Sequence, residues 1–467
     1  MKKIVLIALS VAGFLAFSFS NTEANEPEEV QNLNNHNAHK KPNIVFVLAD
    51  DLTFRDIGCY GSNDAITPNI DQLAAEGMKF TNSHQAAPMC SPTRQNLLTG
   101  LYPVRSGAYP NHTFVKEGTK SIVHYLKDLG YNVGLQGKRH ISPKEAFPFD
   151  YLGKQRNDVD TSLINPFIDK SIEADKPFTL FAMSHSPHRP WNKGNVSLFD
   201  PNEVELPPYY VDNQETREQF VKYLAEITFL DNEVGRVIES LKDRGIYDNT
   251  LFIFSSEQGN ALPFAKFTLY TAGLKNAFIA RWPGHIEKGS STSAMVEYVD
   301  VTPTLVEVAG GEPDTSLDGR SFLPVMLGEK EEHKEYTYGI QTTRGINNGS
   351  KYFGIRSIFD GRYRYIWNLF PEIKFSCTIT SDNNRTFNSW IEDSSSNAFA
   401  KQQVERYQWR PYEELYDTKN DKYEMNNLAC DPEYKDVKLK LRRKLLEWMK
   451  VQGDKGRQTE KEAKEHQ

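Results

Sequence analysis

At 467 residues the chain is long for one domain, so a large core with a smaller appended domain is expected. Hydrophobic residues make up 39% and charged residues 25%, a balance that excludes a disordered or fibrous protein. The net charge of −7, with no basic run, excludes nucleic acid as a partner and requires a local basic patch for any strongly anionic ligand.

Lys2 and Lys3 precede a short apolar run over residues 4–17, followed by small polar residues. This reads as a secretory signal peptide over residues 1–24, too short for a stable membrane anchor, and sends the protein to the periplasm or outside the cell. Residues 25–40 are polar and Asn-rich, a disordered lead-in. The cysteines are Cys59, Cys90, Cys377 and Cys430, too few for a disulfide scaffold, with a Cys377–Cys430 bridge left open.

Residues 43–49 form an apolar β-branched run, the mark of a strand buried on both faces, and it ends in Asp50 and Asp51. Adjacent acids at the carboxyl end of a central strand sit where open α/β sheets bind ligands, and a cation would neutralise them. A helix cap plus a surface acid is the plain alternative. A helix is expected over residues 67–77, and residues 80–87 lead into a second one. That second helix spans residues 89–100, with Pro92 in its first turn, Gly100 at its end and Cys90 at its N-terminal mouth. Cys90 and Arg94 then share a face, with the guanidinium near the sulfur. A buried structural cysteine is the usual reading of such a residue.

A helix over 121–129 and a strand over 131–135 lead to Lys138 and His140. A strand over 178–184 leads to His185, His188 and Arg189. A long helix is expected over 219–243, and a strand over 250–255 ends in Glu257 and Gln258, with Lys266 shortly after. A strand over 277–281 and a helix over 295–309 follow. The repeated order of strand, polar tip and helix predicts an α/β fold, a mostly parallel sheet flanked by helices, over residues 41–334. Every candidate group falls at a strand end or at the mouth of the Cys90 helix. From residue 335 to 451 the pattern changes. Strands over 352–358 and 363–369 are joined through Asp360 and Gly361, another strand covers 414–417, and a helix covers 437–451. This predicts a small α+β domain with an antiparallel sheet, and a charged, frayed tail over 452–467.

Cys90-Ser91-Pro92-Thr93-Arg94 followed by Leu97-Leu98-Thr99-Gly100 resembles the signature of the type I, formylglycine-dependent sulfatases. The other motifs of that family occur in order: Asp50-Asp51, Thr67-Pro68-Asn69-Ile70-Asp71, Lys266-Phe267-Thr268, Arg281-Trp282-Pro283-Gly284, Leu317-Asp318-Gly319-Arg320 and Glu414-Leu415-Tyr416-Asp417. Gly137-Lys138-Arg139-His140, Phe147-Pro148-Phe149-Asp150 and the stretch from His185 to Arg189 are most similar to the heparan N-sulfatase (sulfamidase) branch. The chain departs from the family at Glu257-Gln258, where an Asp-Asn pair is usual, and at Gln341-Thr342-Thr343-Arg344-Gly345, where sulfamidase has paired His and Glu.

The resemblance implies an alkaline-phosphatase-like fold and a secreted sulfuric ester hydrolase. It also implies oxidation of Cys90 to formylglycine by a maturation enzyme. Asp50, Asp51, Glu257, Gln258 and the modified residue 90 would hold one Ca²⁺. Arg94 would stabilise the hydrate, and Lys138 and Lys266 would hold sulfate. His188 would act as general acid and His140 as base, with His185 and Arg344 toward the substrate. The hydrate would attack sulfur and form a covalent sulfo-enzyme. The implied partner is a sulfated polysaccharide or oligosaccharide, ulvan or a glycosaminoglycan. N-sulfoglucosamine hydrolysis on heparan, phosphonate monoester or phosphodiester hydrolysis, and non-catalytic glycan binding are the other readings.

Overall fold

The computed structural model describes residues 41–154 and 158–463. The expected signal peptide, the lead-in up to residue 40 and the last four residues lie outside them. The described residues from 42 on form one compact unit.

The first strand, β1 (Asn43–Ala49), is buried along its whole length. It is followed by β2 (Met78–His84), β3 (Asn132–Gly137), β4 (Asp150–Tyr151), β5 (Phe178–Met183), β6 (Thr250–Ser256), β7 (Lys275–Arg281), β8 (Ser290–Thr292) and β9 (Val296–Glu297). Among the described residues these form a nine-stranded sheet in the order β4-β3-β5-β1-β6-β7-β2-β8, with β9 on β2. β1 lies parallel to both β5 and β6. The departure from a parallel sheet is β7, antiparallel to both β6 and β2. The fold is thus the mostly parallel sheet flanked by helices that the sequence predicts. Alternation along β1 feeds two cores: Val45, Val47 and Ala49 face one, and Ile44, Phe46 and Leu48 face the other.

The main helices here are α1 (Pro68–Glu76), α2 (Cys90–Thr99), α3 (Ile122–Asp128), α4 (Thr161–Glu173), α5 (Gln214–Lys242) and α6 (Val301–Val308). The helix expected over 295–309 is shorter. Its first residues form β9 and a turn in which the Glu297 amide donates to Asp300 Oδ2 at 2.9 Å. Pro303 explains the late start, because it is tolerated only in a first helical turn. Residues 80–87, read as a lead-in, contain most of strand β2.

α5 carries buried acids that fasten the loop beyond β5. Glu226 Oε1 accepts from the amides of Asn192 and Lys193 at 2.6 and 2.8 Å. Glu233 accepts from the Val159 amide at 2.7 Å and from Ser184 Oγ at 2.6 Å. Burial pushes the Glu233 carboxyl up to about 7. The folded state therefore holds this proton more tightly than the unfolded chain, whose carboxyl titrates near 4.5. The resulting stability is complete below that value and is lost as pH rises through 7. The expected span is about 3 kcal/mol. Urea unfolding across this range should show a fall that is smaller by about that amount in Glu233→Gln.

The second sheet has β10 (Thr337–Thr342), β11 (Gly354–Phe359), β12 (Tyr363–Asn368) and β13 (Glu413–Asp417), all antiparallel neighbours in that order. Strand β10 was not expected. Nor were α7 (Arg385–Asp393) and α8 (Ala398–Gln408), which sit between β12 and β13. The buried Trp390 of α7 donates from Nε1 to Thr216 Oγ1 on α5 at 2.9 Å. α9 (Lys435–Gln452) packs on this sheet through Leu441, Leu445 and Trp448.

One expectation is corrected here and one open question is answered. The tail does not fray where it is described: α10 (Arg457–Glu462) docks, and buried Arg356 pairs with Asp454 and, at 2.9 Å, with Glu460. Its charges read as solvated but have a buried cation to meet. Cys377 and Cys430 are not bridged. Cys377 is buried beside the Tyr407 hydroxyl, and Cys430 is exposed.

Candidate active site

The tips of β1, β3, β5 and β6 and the mouth of α2 meet at one place. Backbone bonds tie them together: the Asp50 amide donates to Ser186 O at 3.1 Å, Ser184 N to Leu48 O at 2.9 Å, and Glu257 N to Ala49 O at 3.0 Å. Asp51 sits in the left-handed region at φ 60°, which turns its carboxyl back beside that of Asp50. α2 begins at Cys90, and Gly100 closes it at φ 67°. The apolar run and the Pro/Gly punctuation seen in the sequence thus deliver the acids and the cysteine to the same point.

Cys90 Sγ lies 3.5 Å from Asp50 Oδ1 and 3.2 Å from Gln258 Nε2. Burial, then the Asp50 charge, pushes its thiol up to about 12. Burial therefore favours the neutral thiol over the thiolate nucleophile in an unmodified Cys90.

The surrounding charges pair off. Lys138 lies on Asp50, Lys266 Nζ on Asp51 Oδ2 at 2.7 Å, and Arg94 Nε on Glu257. Burial opposes ionisation of Asp50, but Lys138, His188, Arg94 and Lys266 outweigh it and hold its carboxyl well below the usual range. Burial pushes the Glu257 carboxyl up, against the pull of Arg94. Arg94 also donates to Lys138 O at 2.9 Å and to Ser184 O at 3.5 Å. Its contacts go to Glu257 and to the strand tips, so it braces the site around residue 90.

The metal fit rests on oxygens. Gln258 Oε1 and Glu257 Oε2 are buried without a hydrogen-bond partner among the described residues. Gln258 Nε2 reaches Asp51 Oδ1 at 2.7 Å, so turning the amide over would present its oxygen to the same point. Asp50, Asp51, Glu257 and Gln258 make a hard oxygen set suited to Ca²⁺ or Mg²⁺. Asp50, Cys90 and His188 place ligand atoms within 4.8 Å of one another. One imidazole and one sulfur fall short of the three or four nitrogen and sulfur ligands usual for zinc. Lys138 and Lys266 now occupy carboxylate oxygens that a divalent cation would take.

The histidines line one side. His188 Nδ1 lies 2.6 Å from Arg189 O, a carbonyl that can only accept, so this nitrogen carries the proton. His188 Nε2 lies 3.6 Å from Asp51 Oδ2. Burial, then Lys266, lowers His188, and burial brings His185, whose ring centroid is 4.4 Å from that of His188, to about 4. Burial and Lys138 lower His140 to about 2, and its Nδ1 is buried without a partner among the described residues. The His140 ring lies tilted against that of His112, with centroids 4.8 Å apart, and His112 Nδ1 bonds Gly345 O at 2.9 Å. Arg344 thus stands next to this histidine pair, half-buried over Tyr352 at 4.8 Å.

The sequence reading assigned no role to His112 or Arg189. Arg189 lies over Trp191 at 4.2 Å, with Nε and Nη2 buried and unpartnered among the described residues. Its place directly after His188 was a usable signal. His112 had none, since a long-range contact brings it in.

Gly137 sets the height of Lys138. It has φ +95°, and a Cβ there would meet Met183 O at 2.1 Å, the oxygen that accepts the Lys138 amide at 2.7 Å. Gly137→Ala should therefore destabilise the fold by about 2–4 kcal/mol and lower kcat as Lys138 shifts, which urea unfolding and steady-state kinetics would read.

Buried carboxylates, matched cations and orphaned oxygens around one side chain at a helix mouth define a site for binding and transferring an oxyanion. The sulfatase family profile matches residues 42–311, and the profile of the N-sulphoglucosamine sulphohydrolase C-terminal region matches residues 259–370. An ulvan-active sulfatase of Formosa agariphila is 35% identical over 97% of this chain and 89% of its own. Human N-sulphoglucosamine sulphohydrolase is 28% identical over 87% of this chain and 89% of its own. The chain belongs to the sulfatase family and is a sulfatase. In fold it is similar to BT4656, solved with its substrate D-glucosamine-2-N,6-O-disulfate (TM-score 0.69, 21% identity, covering 90% of this chain and 99% of that one). It is also similar to the 2-O GAG sulfatase BT1596 (TM-score 0.66, 20% identity, 89% and 93%).

Proposed function

We propose that this protein is a secreted sulfatase that hydrolyses sulfate esters on a sulfated polysaccharide or its oligosaccharides, with ulvan favoured over a glycosaminoglycan. The observation that carries the reading is the convergence of Asp50, Asp51, Glu257, Gln258, Lys138 and Lys266 on residue 90. Once a maturation enzyme has oxidised Cys90, formylglycine supplies a hydrated aldehyde as nucleophile and Ca²⁺ supplies Lewis acidity toward a sulfate oxygen.

The other steps belong to this chain's side chains. Lys138 and Lys266 bind sulfate oxygens and neutralise charge as the S–O bond breaks. His188, in its imidazolium form with Nδ1–H held by Arg189 O, delivers the Nε2 proton to the leaving oxygen and returns to the neutral ring. His140, which burial and Lys138 keep as the neutral ring, accepts a proton from residue 90. Arg94 holds Glu257 and the tips of β3 and β5 in register around them.

The similarity to an ulvan-active sulfatase over nearly the whole chain supports an algal substrate. The stretch Gln341–Gly345, at the end of β10, stands where sulfamidase has its His and Glu and carries Arg344, a partner for a uronate carboxylate. Arg344→Ala should raise KM for uronate-containing oligosaccharides about tenfold and leave kcat on a small aryl sulfate unchanged. The match to the N-sulphoglucosamine sulphohydrolase C-terminal region favours N-sulfate cleavage as the second reading. Ion chromatography of sulfate released from ulvan oligosaccharides, heparin oligosaccharides and N-sulfoglucosamine separates the two. Release from ulvan is expected. Release from N-sulfoglucosamine alone would overturn the ester reading.

A further inference from the structure

A second cavity of about 470 Å³ lies between the loop beyond β1, the β2 and β7 ends and the second sheet. None of the groups gathered around residue 90 lines it. Its walls are rich in cations: Arg55, Lys275, Arg364 and Lys422, with His84 beside them.

These cations are under-paired. Lys275 makes no ion pair among the described residues, and its ammonium stands 4.8 Å from the Phe54 ring centroid. Arg364 is buried and gives Nε to Glu424 at 3.0 Å, but its Nη2 is buried with no hydrogen-bond partner among the described residues. Arg55 Nη1 is orphaned in the same way, and the ring nitrogen Nδ1 of His84 is buried without a partner among the described residues. The acids of the walls are engaged elsewhere. Asp56 accepts from Tyr223 at 3.0 Å and Asn260 at 3.3 Å, Asp64 from the Glu205 amide at 2.8 Å, and Glu205 from Asn63 at 3.3 Å. Burial, with Arg55 and Arg364, brings Lys275 down to about 8, so these cations raise one another's energy. Buried donors without acceptors cost free energy that a ligand would recover.

We propose that this cavity is a second anion site, which takes a sulfate or carboxylate group between Lys275 Nζ and Arg364 Nη2. The volume admits a sugar ring bearing such a group as well as a free ion. His84 Nε2 faces Asn82 Oδ1 at 2.8 Å and so holds its proton there, leaving Nδ1 to accept from a sugar hydroxyl. The site stands apart from the reaction at residue 90 and does not depend on how that reaction is read.

Crystals of the whole protein soaked in selenate test it by anomalous diffraction. A peak within hydrogen-bond distance of Lys275 Nζ and Arg364 Nη2 is expected, separate from any peak at residue 90. It should vanish in Lys275→Met, with the second anion's Kd raised about tenfold or more by calorimetry. Lys275→Met removes an unpaired cation, so it should melt no lower than wild type without anion, lose the sulfate-dependent rise in Tm, and turn over aryl sulfate normally. Displacement of the selenate by a sulfated or uronic disaccharide assigns the site to a glycan, and retention assigns it to free sulfate. No cavity peak in wild type at saturating selenate, or a peak that survives in Lys275→Met, overturns the proposal.

Discussion

Cys90→Ala is expected to lower sulfate ester turnover by about 10⁴-fold or more while leaving the fold in place. The side chain is small, so its removal from a buried position costs about 1 kcal/mol. The chemistry has no substitute for it. The nearby hydroxyls and carboxylates are committed: Asp50 to Lys138, Asp51 to Lys266, Ser184 to Glu233. Cys90→Ser sharpens the test. A serine hydroxyl can accept the sulfuryl group as the alcohol leaves, but it lacks a second hydroxyl to expel sulfate. At most one equivalent of alcohol per enzyme should therefore appear, followed by no turnover. Rapid-quench kinetics would read this, and sustained turnover by either variant would contradict the nucleophile's placement.

Removal of the metal is the second large effect. Excess chelator should abolish activity, calcium should restore it, and zinc should not. The oxygens of Glu257 and Gln258 that lack partners explain why: without a cation they remain buried and unsatisfied. Gln258→Leu roughly keeps the volume and removes the oxygen proposed as a ligand together with the amide that meets Asp51 at 2.7 Å. It should raise the calcium concentration needed for half-maximal activity about 10–100-fold. A calcium titration after chelation measures this, and full activity in chelator would contradict the oxygen set.

The parts readable in the sequence were those with strong local signals. β1 spans the predicted residues because an unbroken apolar run reports a strand covered on both faces. α2 was readable from Pro92 and Gly100, and the acids and histidines from their position after such runs. What stayed hidden is set by distant contacts. β4 and β9 have two residues each, too few for any periodicity, and nothing local makes β7 antiparallel. α10 looked like a solvated tail until Arg356 supplied a buried partner for Glu460. In the site, Arg94 was expected at the sulfur but pairs with Glu257, a residue 163 positions away in the numbering (257 − 94) that no spacing argument reaches.

The most direct test of the central claim is mass spectrometry of the peptide that contains residue 90, taken from catalytically active protein. Formylglycine at position 90 is the predicted result. An unmodified cysteine there, in protein that turns over sulfate esters at full rate, would contradict the account.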